Sequence, residues 1–279
     1  MVSKVETETF HHEELPDAST YIRLATAPKY TAISYTWGDP NLIAVILVNG
    51  KRMEVRRNCE DVIRQPCRIK GGFFWIDAIC INQADNHEKS FQVANMGEVF
   101  RDALGTLAFV GRHENNSEIL FKKLRRHKSF WKSLDVYSQP HPWPESMRDS
   151  TITELCNAFG MFLKRPYFQR VWICQELCFG RDIQVCCKDM HAELSFLWKL
   201  YQASESWNLS SISLPENIKW KDFTAMLNVR SLLEYGVTPM SRGTLRQMTI
   251  VAGRLQSEDL RDRVFGVLAM IDWDGAKPI

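Results

Sequence analysis

The run over residues 71–111, GGFFWIDAICINQADNHEKSFQVANMGEVFRDALGTLAFVG, alternates between two periodicities, and this alternation limits the folds open to the chain. Residues 73–79 are nearly continuous in apolar side chains, broken by Asp77, which predicts a strand covered on both faces. Residues 85–103 then place Met96, Val99, Phe100 and Ala103 at helical spacing, with Asp85 as N-cap and Glu88 as its third-position partner. Residues 104–111 read as a strand again. Strand, helix and strand with short joins form a βαβ crossover, which requires a mainly parallel sheet. Such sheets place ligands at the carboxyl ends of their strands.

The flanking segments extend the same pattern. YTAISYTWGDP (residues 30–40) is β-prone and breaks at Gly38-Asp39-Pro40, a strand running into a loop. AVILVNGKRMEVRRN follows, with Asn49-Gly50 between two strand-like runs as a hairpin turn. NCEDVIRQPC predicts a short helix ended near Pro66. The carboxyl strand ends therefore carry residues 35–39 and 77–83. Residues 112–150 are polar and rich in His, Pro and Lys, including SQPHPWPES, and read as an inserted, loop-rich segment. A helix is expected over 151–164, and Pro166 suits the first turn of the next one. That second helix carries Glu176 and stops at Gly180. DIQVCC is a strand. Residues 191–279 are mostly helical in pattern, in AELSFLWKLYQAS, WKDFTAMLNVRSLLEYG, LRQMTIVAGRL and LRDRVFGVLAMI. The division is a leading segment over 1–27, an α/β core over 28–190 with the insertion near 112–150, and a helical part over 191–279. The ending DWDGAKPI reads as an open chain end, so the chain is expected to be the first domain of a longer protein.

Bulk properties exclude several classes. Lys and Arg number 35 against 33 for Asp and Glu, a net charge of +2 over 279 residues. No general attraction to nucleic acid or anionic lipid follows. The polar, acidic N-terminus is not a secretory signal, and no apolar run reaches the roughly 18 residues of a membrane span. A soluble, cytoplasmic protein is expected. The eight cysteines (59, 67, 80, 156, 174, 178, 186 and 187) lack paired zinc-ligand spacing and read as small buried hydrophobes. No metal site is expected.

RVWICQELCFG (residues 170–180) poses the functional question. Its apolar and thiol residues surround Glu176, and a carboxylate in such a place costs several kcal/mol unless paired. Either Arg165, Arg170 or Arg181 pairs with it structurally, or it is kept for chemistry.

Taken together, YTAISYTWGDP, FFWIDAICINQADNHEKSFQVANMGEVFRDA, FQRVWICQEL and RDRVFGVLAMI resemble, in order and over roughly residues 28–271, the fungal heterokaryon-incompatibility (HET) domain. The resemblance implies a part in self/non-self recognition, with cell death triggered when incompatible cells fuse. That domain is in turn similar to Toll/interleukin-receptor (TIR) domains, which implies a flavodoxin-like, mainly parallel sheet flanked by helices, here with the inserted loop segment and helical C-terminal extension. Several TIR domains cleave NAD at the nicotinamide–ribose bond. In plant-type members the catalytic glutamate lies in a helix resembling WCLxEL. Trp172-Ile173-Cys174-Gln175-Glu176-Leu177 carries that role onto Glu176. TIR-type enzymes commonly self-assemble, so a homo-oligomer is implied, with NAD as substrate, no required cofactor, and an incompatibility partner protein.

The chemistry makes modest demands. Nicotinamide leaves a pyridinium as a neutral base, so no general acid is needed, unlike in an ordinary glycoside. One carboxylate in a dry, preorganised pocket stabilises the oxocarbenium-like centre or binds the ribose hydroxyls. Tyr35, Trp37, Gly38, Asp39, Asp77, Asn82 and Gln83 are the candidate dinucleotide-binding residues. Most have a structural reading beside the functional one. Trp37 is a core aromatic or a flat surface for adenine or nicotinamide; Trp75 is a core aromatic. Asp39 starts a turn or holds ribose, and Asp77 braces its loop or holds ribose. Asn82 and Gln83 contact ligand or stabilise their own loop. Glu88 and Gln92 read as a capping pair on a solvated face, Cys80 with His87 lacks the third member of an oriented dyad, and Asp262 caps or pairs at a C-terminal helix. Two rivals to the enzyme stand open: a non-enzymatic interaction domain, and a sensor that binds a nucleotide without cleaving it.

Overall fold

The computed structural model describes residues 8–15, 29–65, 72–135, 150–208, 252–253 and 255–271. Strand β1 (Thr31–Tyr35) lies inside a five-stranded sheet, with the edge strand β4 (Phe74–Trp75) on one side and the central strand β5 (Gly105–Phe109) on the other. Beyond β5 come β6 (Gln184–Cys187) and the edge strand β7 (Met190–Glu193). β4, β1, β5 and β6 run parallel, and β7 is antiparallel to β6. β2 (Ile43–Val48) and β3 (Lys51–Arg56) form a separate hairpin, turning through Asn49 and Gly50 at φ of 53° and 79°. This is the primed turn that an Asn-Gly pair favours.

β1 and β5 are buried along their whole length, as expected of strands covered on both faces. On one face Ile33 and Tyr35 pack with Val55 of the hairpin and with Cys59 and Val62 of α1 (Arg57–Ile63). On the other, Ala32 packs with Trp75 and with Val99 and Phe100 of α4 (Met96–Asp102). The crossover from β4 to β5 passes over β1 through α2 (Asp77–Cys80), α3 (Asn86–Ala94) and α4. The α/β class and the mainly parallel sheet flanked by helices are therefore as the sequence predicts.

Several elements differ from expectation. The strand predicted over 73–79 pairs only through Phe74 and Trp75, and Asp77 opens α2, its Oδ1 accepting the Ala78 N–H at 2.7 Å. A short apolar run suits a buried strand or a buried helical turn equally, and here the carboxylate decides for the turn. The single helix expected over 85–103 breaks at Asn95, which ends α3 and starts α4.

Residues 112–135 are not loop-rich. They form α5 (Ser117–Arg126) and α6 (Lys128–Ser133), which bury Leu120, Phe121, Leu124 and Trp131 in the largest core. The polar residues are the outer face of an amphipathic pair, and SQPHPWPES lies outside the described residues.

α7 (Ser150–Leu163) is as expected, but Pro166 begins a separate 3₁₀ turn over Pro166–Gln169, and the helix bearing Glu176, α8, restarts at Ile173–Phe179. Gly180 ends α8 in an extended conformation, with φ of −61° and ψ of 141°. Glycine is required there by crowding: a Cβ would lie 2.5 Å from the Glu176 carbonyl oxygen and 2.7 Å from Thr106 Oγ1. In the C-terminal part β7 precedes α9 (Leu194–Asn208), and α10 spans Asp262–Leu268. The helices read in 220–236 and over most of 245–255, and the chain end after 271, lie outside the described residues.

Phe121 is 1% exposed and packs edge-on against Phe162, ring centroids 5.5 Å apart. Phe121→Ala is expected to cost about 3–5 kcal/mol in urea unfolding. A loss below about 0.5 kcal/mol, typical of a surface substitution, would return this segment to a loop.

Candidate active site

α8 is buried nearly all round: Ile173, Cys174 and Leu177 are fully enclosed, and Glu176 is 6% exposed. Its carboxylate is engaged on both oxygens. Oε2 accepts a short hydrogen bond from Ser34 Oγ, and Ser34 Oγ lies 2.6 Å from the Tyr167 hydroxyl. Oε1 lies 3.4 Å from Arg170 Nη2. Of the three arginines within reach in sequence, Arg170 is the partner because extended backbone after the 3₁₀ turn carries it past α8. Arg165 is held elsewhere, by the carbonyls of Val110 and Glu114, Ser117 Oγ and Cys187 Sγ, and Arg181 is exposed. The pairing uses one guanidinium nitrogen at long range and is not a bidentate lock. Arg170 Nη1 is buried with no hydrogen-bond partner among the described residues.

A second carboxylate lies in the same electrostatic neighbourhood. Asp77 Oδ2 accepts from Trp37 Nε1 at 2.7 Å, and the Asp77 charge acts on the nearby Tyr35 hydroxyl. Burial pushes the Asp77 carboxyl up, opposed by Trp37 and then by Arg170. Burial likewise pushes Glu176 up, opposed by Arg170 and Ser34 and reinforced by the charge of Asp77. Burial works against the charge of Arg170, yet Glu176, with Tyr167 and Asp77, holds it above its ordinary value. Two carboxylates thus share one buried guanidinium, so ionising both leaves a net negative centre. Burial, with Asp77 beside Tyr35 and Glu176 beside Tyr167, keeps both phenols protonated far above the usual range.

The remaining candidates divide in two. Gly38 stands beside Trp37 at a φ of 81°, and its carbonyl accepts from Arg56 Nη1 at 2.9 Å. A Cβ there would lie 2.6 Å from Asn58 Nδ2, so both conformation and space call for glycine. Tyr35, Trp37, Gly38 and Asp77 are brought together at the ends of β1 and β4. Asp39, Asn82 and Gln83 make local contacts. Asp39 Oδ1 accepts from the backbone and side chain of Asn41, Asn82 Oδ1 accepts from the Ala84 N–H, and Gln83 Nε2 donates to the Asp77 carbonyl.

Glu88 and Gln92 are not on a solvated face; they are 3% and 2% exposed, and Glu88 Oε1 accepts from the Asn82 N–H at 2.8 Å. Asp85 caps α3 as predicted, accepting from His87 and Glu88. Cys80 Sγ accepts from the Ile76 N–H while His87 packs against Phe91. Burial pushes the Asp262 carboxyl up, opposed by the nearby Trp172 side chain, and Gln175 Nε2 donates to the Phe265 carbonyl, so α10 is fastened to the Glu176 motif. Cys59, Cys174, Cys186 and Cys187 are buried free thiols; burial pushes Cys59 up to about 12. Cys67 lies outside the described residues. Among the described residues no His, Cys, Asp and Glu group could hold a metal, and no helix is long and apolar enough to cross a membrane.

Ser34, Tyr167 and Arg56 were missed in the sequence. The usable signal was Ser34, a small hydroxyl within the strand TAISY, whose burial demands a partner.

A family model of heterokaryon incompatibility proteins matches residues 30–176, a span that opens one residue before β1 and closes on Glu176. Heterokaryon incompatibility protein 6, OR allele, of Neurospora crassa is 25% identical over 199 residues, covering 59% of this chain and 29% of that protein. The chain thus spans less than a third of that relative's length. No solved structure matches it.

The Glu176 carboxyl sets a pH dependence. Below the ordinary carboxylate value of about 4.3 its contribution to stability is fully present. The folded protein keeps the proton to higher pH than the unfolded chain, so that contribution is lost as pH rises through the raised folded value. Ser34 donates to the charged form, so Ser34→Ala raises the folded value further. Its stability deficit in urea is expected to be smallest at acid pH and to grow by about 1.5–3 kcal/mol toward neutrality, the worth of a hydrogen bond to a charged group. A deficit of the same size at every pH would show that Ser34 does not act on this carboxylate.

Proposed function

The chain belongs to the heterokaryon incompatibility (HET) family, and from that premise we propose that it is a fungal incompatibility effector that cleaves NAD at the nicotinamide–ribose bond through Glu176. The observation that carries this reading is the Glu176 carboxylate. It is buried to 6% exposure, held by single contacts from Ser34 and Arg170, and lies within electrostatic reach of Asp77, which binds Trp37 at a strand end.

In the proposed reaction the bond between C1′ of the ribose and the pyridinium nitrogen breaks, and nicotinamide leaves with the bonding pair as a neutral base. Positive charge develops at C1′, where ionised Glu176 stabilises it in a low-dielectric site. Water then adds to C1′ and releases a proton, giving ADP-ribose. Ser34 and Arg170 favour the ionised carboxylate against the opposing effect of burial. Asp77 and the Tyr35 hydroxyl offer partners for ribose hydroxyls. Cell death follows from depletion of the dinucleotide, and assembly of several copies with an incompatibility partner governs when the site acts.

One observation favours a non-enzymatic interaction domain instead. The Tyr167, Ser34 and Glu176 chain joins the 3₁₀ turn, β1 and α8, which is also what a purely structural clamp would do.

Nicotinamide release from NAD, measured at high protein concentration to allow assembly, separates the two. Wild type is expected to release nicotinamide and Glu176→Gln to do so at least about 100-fold more slowly, the usual cost of removing one preorganised electrostatic group. Equal release by both would remove Glu176 from the chemistry, and release by neither would favour the interaction domain.

A further inference from the structure

Arg56 lies outside every role assigned so far, yet it closes the rim of this site. It ends β3 and is the residue before α1, with an extended φ and ψ of −66° and 149°, which turns its side chain toward the end of β1. Its guanidinium carbon lies 5.0 Å over the Trp37 ring. Nη1 donates to the Gly38 carbonyl at 2.9 Å and to Glu258 Oε1 at 3.2 Å. Both bonds use Nη1, so the edge formed by Nε and Nη2 has no partner among the described residues. That edge is the planar fork that binds phosphate with two parallel hydrogen bonds.

The ion pair is lopsided. The Arg56 side chain is 22% exposed, whereas that of Glu258 is 80% exposed. A guanidinium fixed by an indole and a carbonyl thus meets a carboxylate standing in water. Such exposed pairs are weak, so another anion can displace Glu258 readily. The carboxylate arrives on a segment fastened across the site's base, where the Gln256 N–H donates to the Gln169 carbonyl at 2.6 Å and the Val171 N–H donates to the Gln256 carbonyl at 3.0 Å. The same strand-like contact runs alongside Arg170.

We propose that Arg56 is an anion-binding residue that takes a phosphate of a nucleotide diphosphate at the rim of the site, and that Glu258 is the internal anion it must release. The identity of the nucleotide rests on the NAD-cleavage reading; the anion site itself does not. The chemistry follows from charge. Within the site two carboxylates share Arg170, so phosphates are repelled from the centre and need a cation displaced from it. Arg56, stacked on Trp37, supplies one beside an aromatic surface suited to a base or a nicotinamide ring. Glu258 lowers apparent affinity by occupying that cation, so ligand binding and release of the Glu258 side chain are coupled.

The test is isothermal titration of the full chain with inorganic pyrophosphate, which needs no catalysis. Wild type is expected to bind, Arg56→Gln to bind at least ten-fold more weakly, and Glu258→Gln to bind about two- to five-fold more tightly, the range an exposed ion pair is worth. Arg56→Lys keeps the charge but loses the fork, and should fall between wild type and Arg56→Gln. ADP-ribose should compete with pyrophosphate, and adenosine should not. Melting temperatures of the variants within a few degrees of wild type confirm that each is folded. No binding by wild type, equal binding by Arg56→Gln, or weaker binding by Glu258→Gln would each overturn the proposal. Wild type that binds pyrophosphate through Arg56 but releases no nicotinamide from NAD would sink the cleavage reading alone.

Discussion

The burial of Glu176 against the sheet is the constraint around which the neighbouring elements are arranged. A carboxylate at this depth persists only when donors compensate its lost hydration. Those donors come from Ser34, 142 residues earlier in the chain, and from Arg170, six residues earlier. The first contact fixes α8 to the interior strand β1, and the second requires the chain to leave its helical path between Gln169 and Ile173. The 3₁₀ turn and the break before α8 are therefore the local cost of presenting Arg170 to Glu176. With α8 so placed, Gly97 lets α4 come close: a Cβ there would lie 2.9 Å from Ala269 Cβ and 3.0 Å from the Phe179 ring. From the other end α10 is drawn in through Gln175 and through Gly266, whose missing Cβ makes room for Val171.

Legibility in the sequence followed how local the determining physics was. The Asn49-Gly50 turn, the Asp85 cap and β1 each depend on residues next to one another, and each is where the pattern placed it. The helical break at Asn95 depends on how two helical halves dock, which no period of 3.6 reports. α5 and α6 were hidden by their own outer face, since the charges of KKLRRHK outweigh the buried Leu120, Leu124 and Trp131 in any average over the segment. The resemblance to the family supplied Glu176, and the ends of parallel strands supplied Tyr35, Trp37 and Asp77. What neither supplied was pairing. Arg165, Arg170 and Arg181 are equivalent in the sequence, and the choice among them is made by backbone between 166 and 173. Arg56 was illegible for the same reason, because its place over Trp37 is set by the way the hairpin lies against β1.

The charge arrangement places opposing demands on the site. Ionised Glu176 is what a developing cation at C1′ would require, yet burial and Asp77 both favour its protonated form. Arg170 and Ser34 oppose that tendency, but Arg170 is shared with Asp77, so protonation of either carboxylate strengthens the hold on the other. A cationic ligand changes the balance. A pyridinium entering a centre with two carboxylates and one guanidinium stabilises both anions and is itself stabilised, and once it departs as a neutral base the excess negative charge returns. On the proposed reading the substrate's own positive charge favours ionisation of the carboxylates that burial opposes. The phosphates of the same molecule carry the opposite charge, so on that reading the cation that meets them has to be one other than Arg170, and Arg56, stacked on Trp37, is the one proposed.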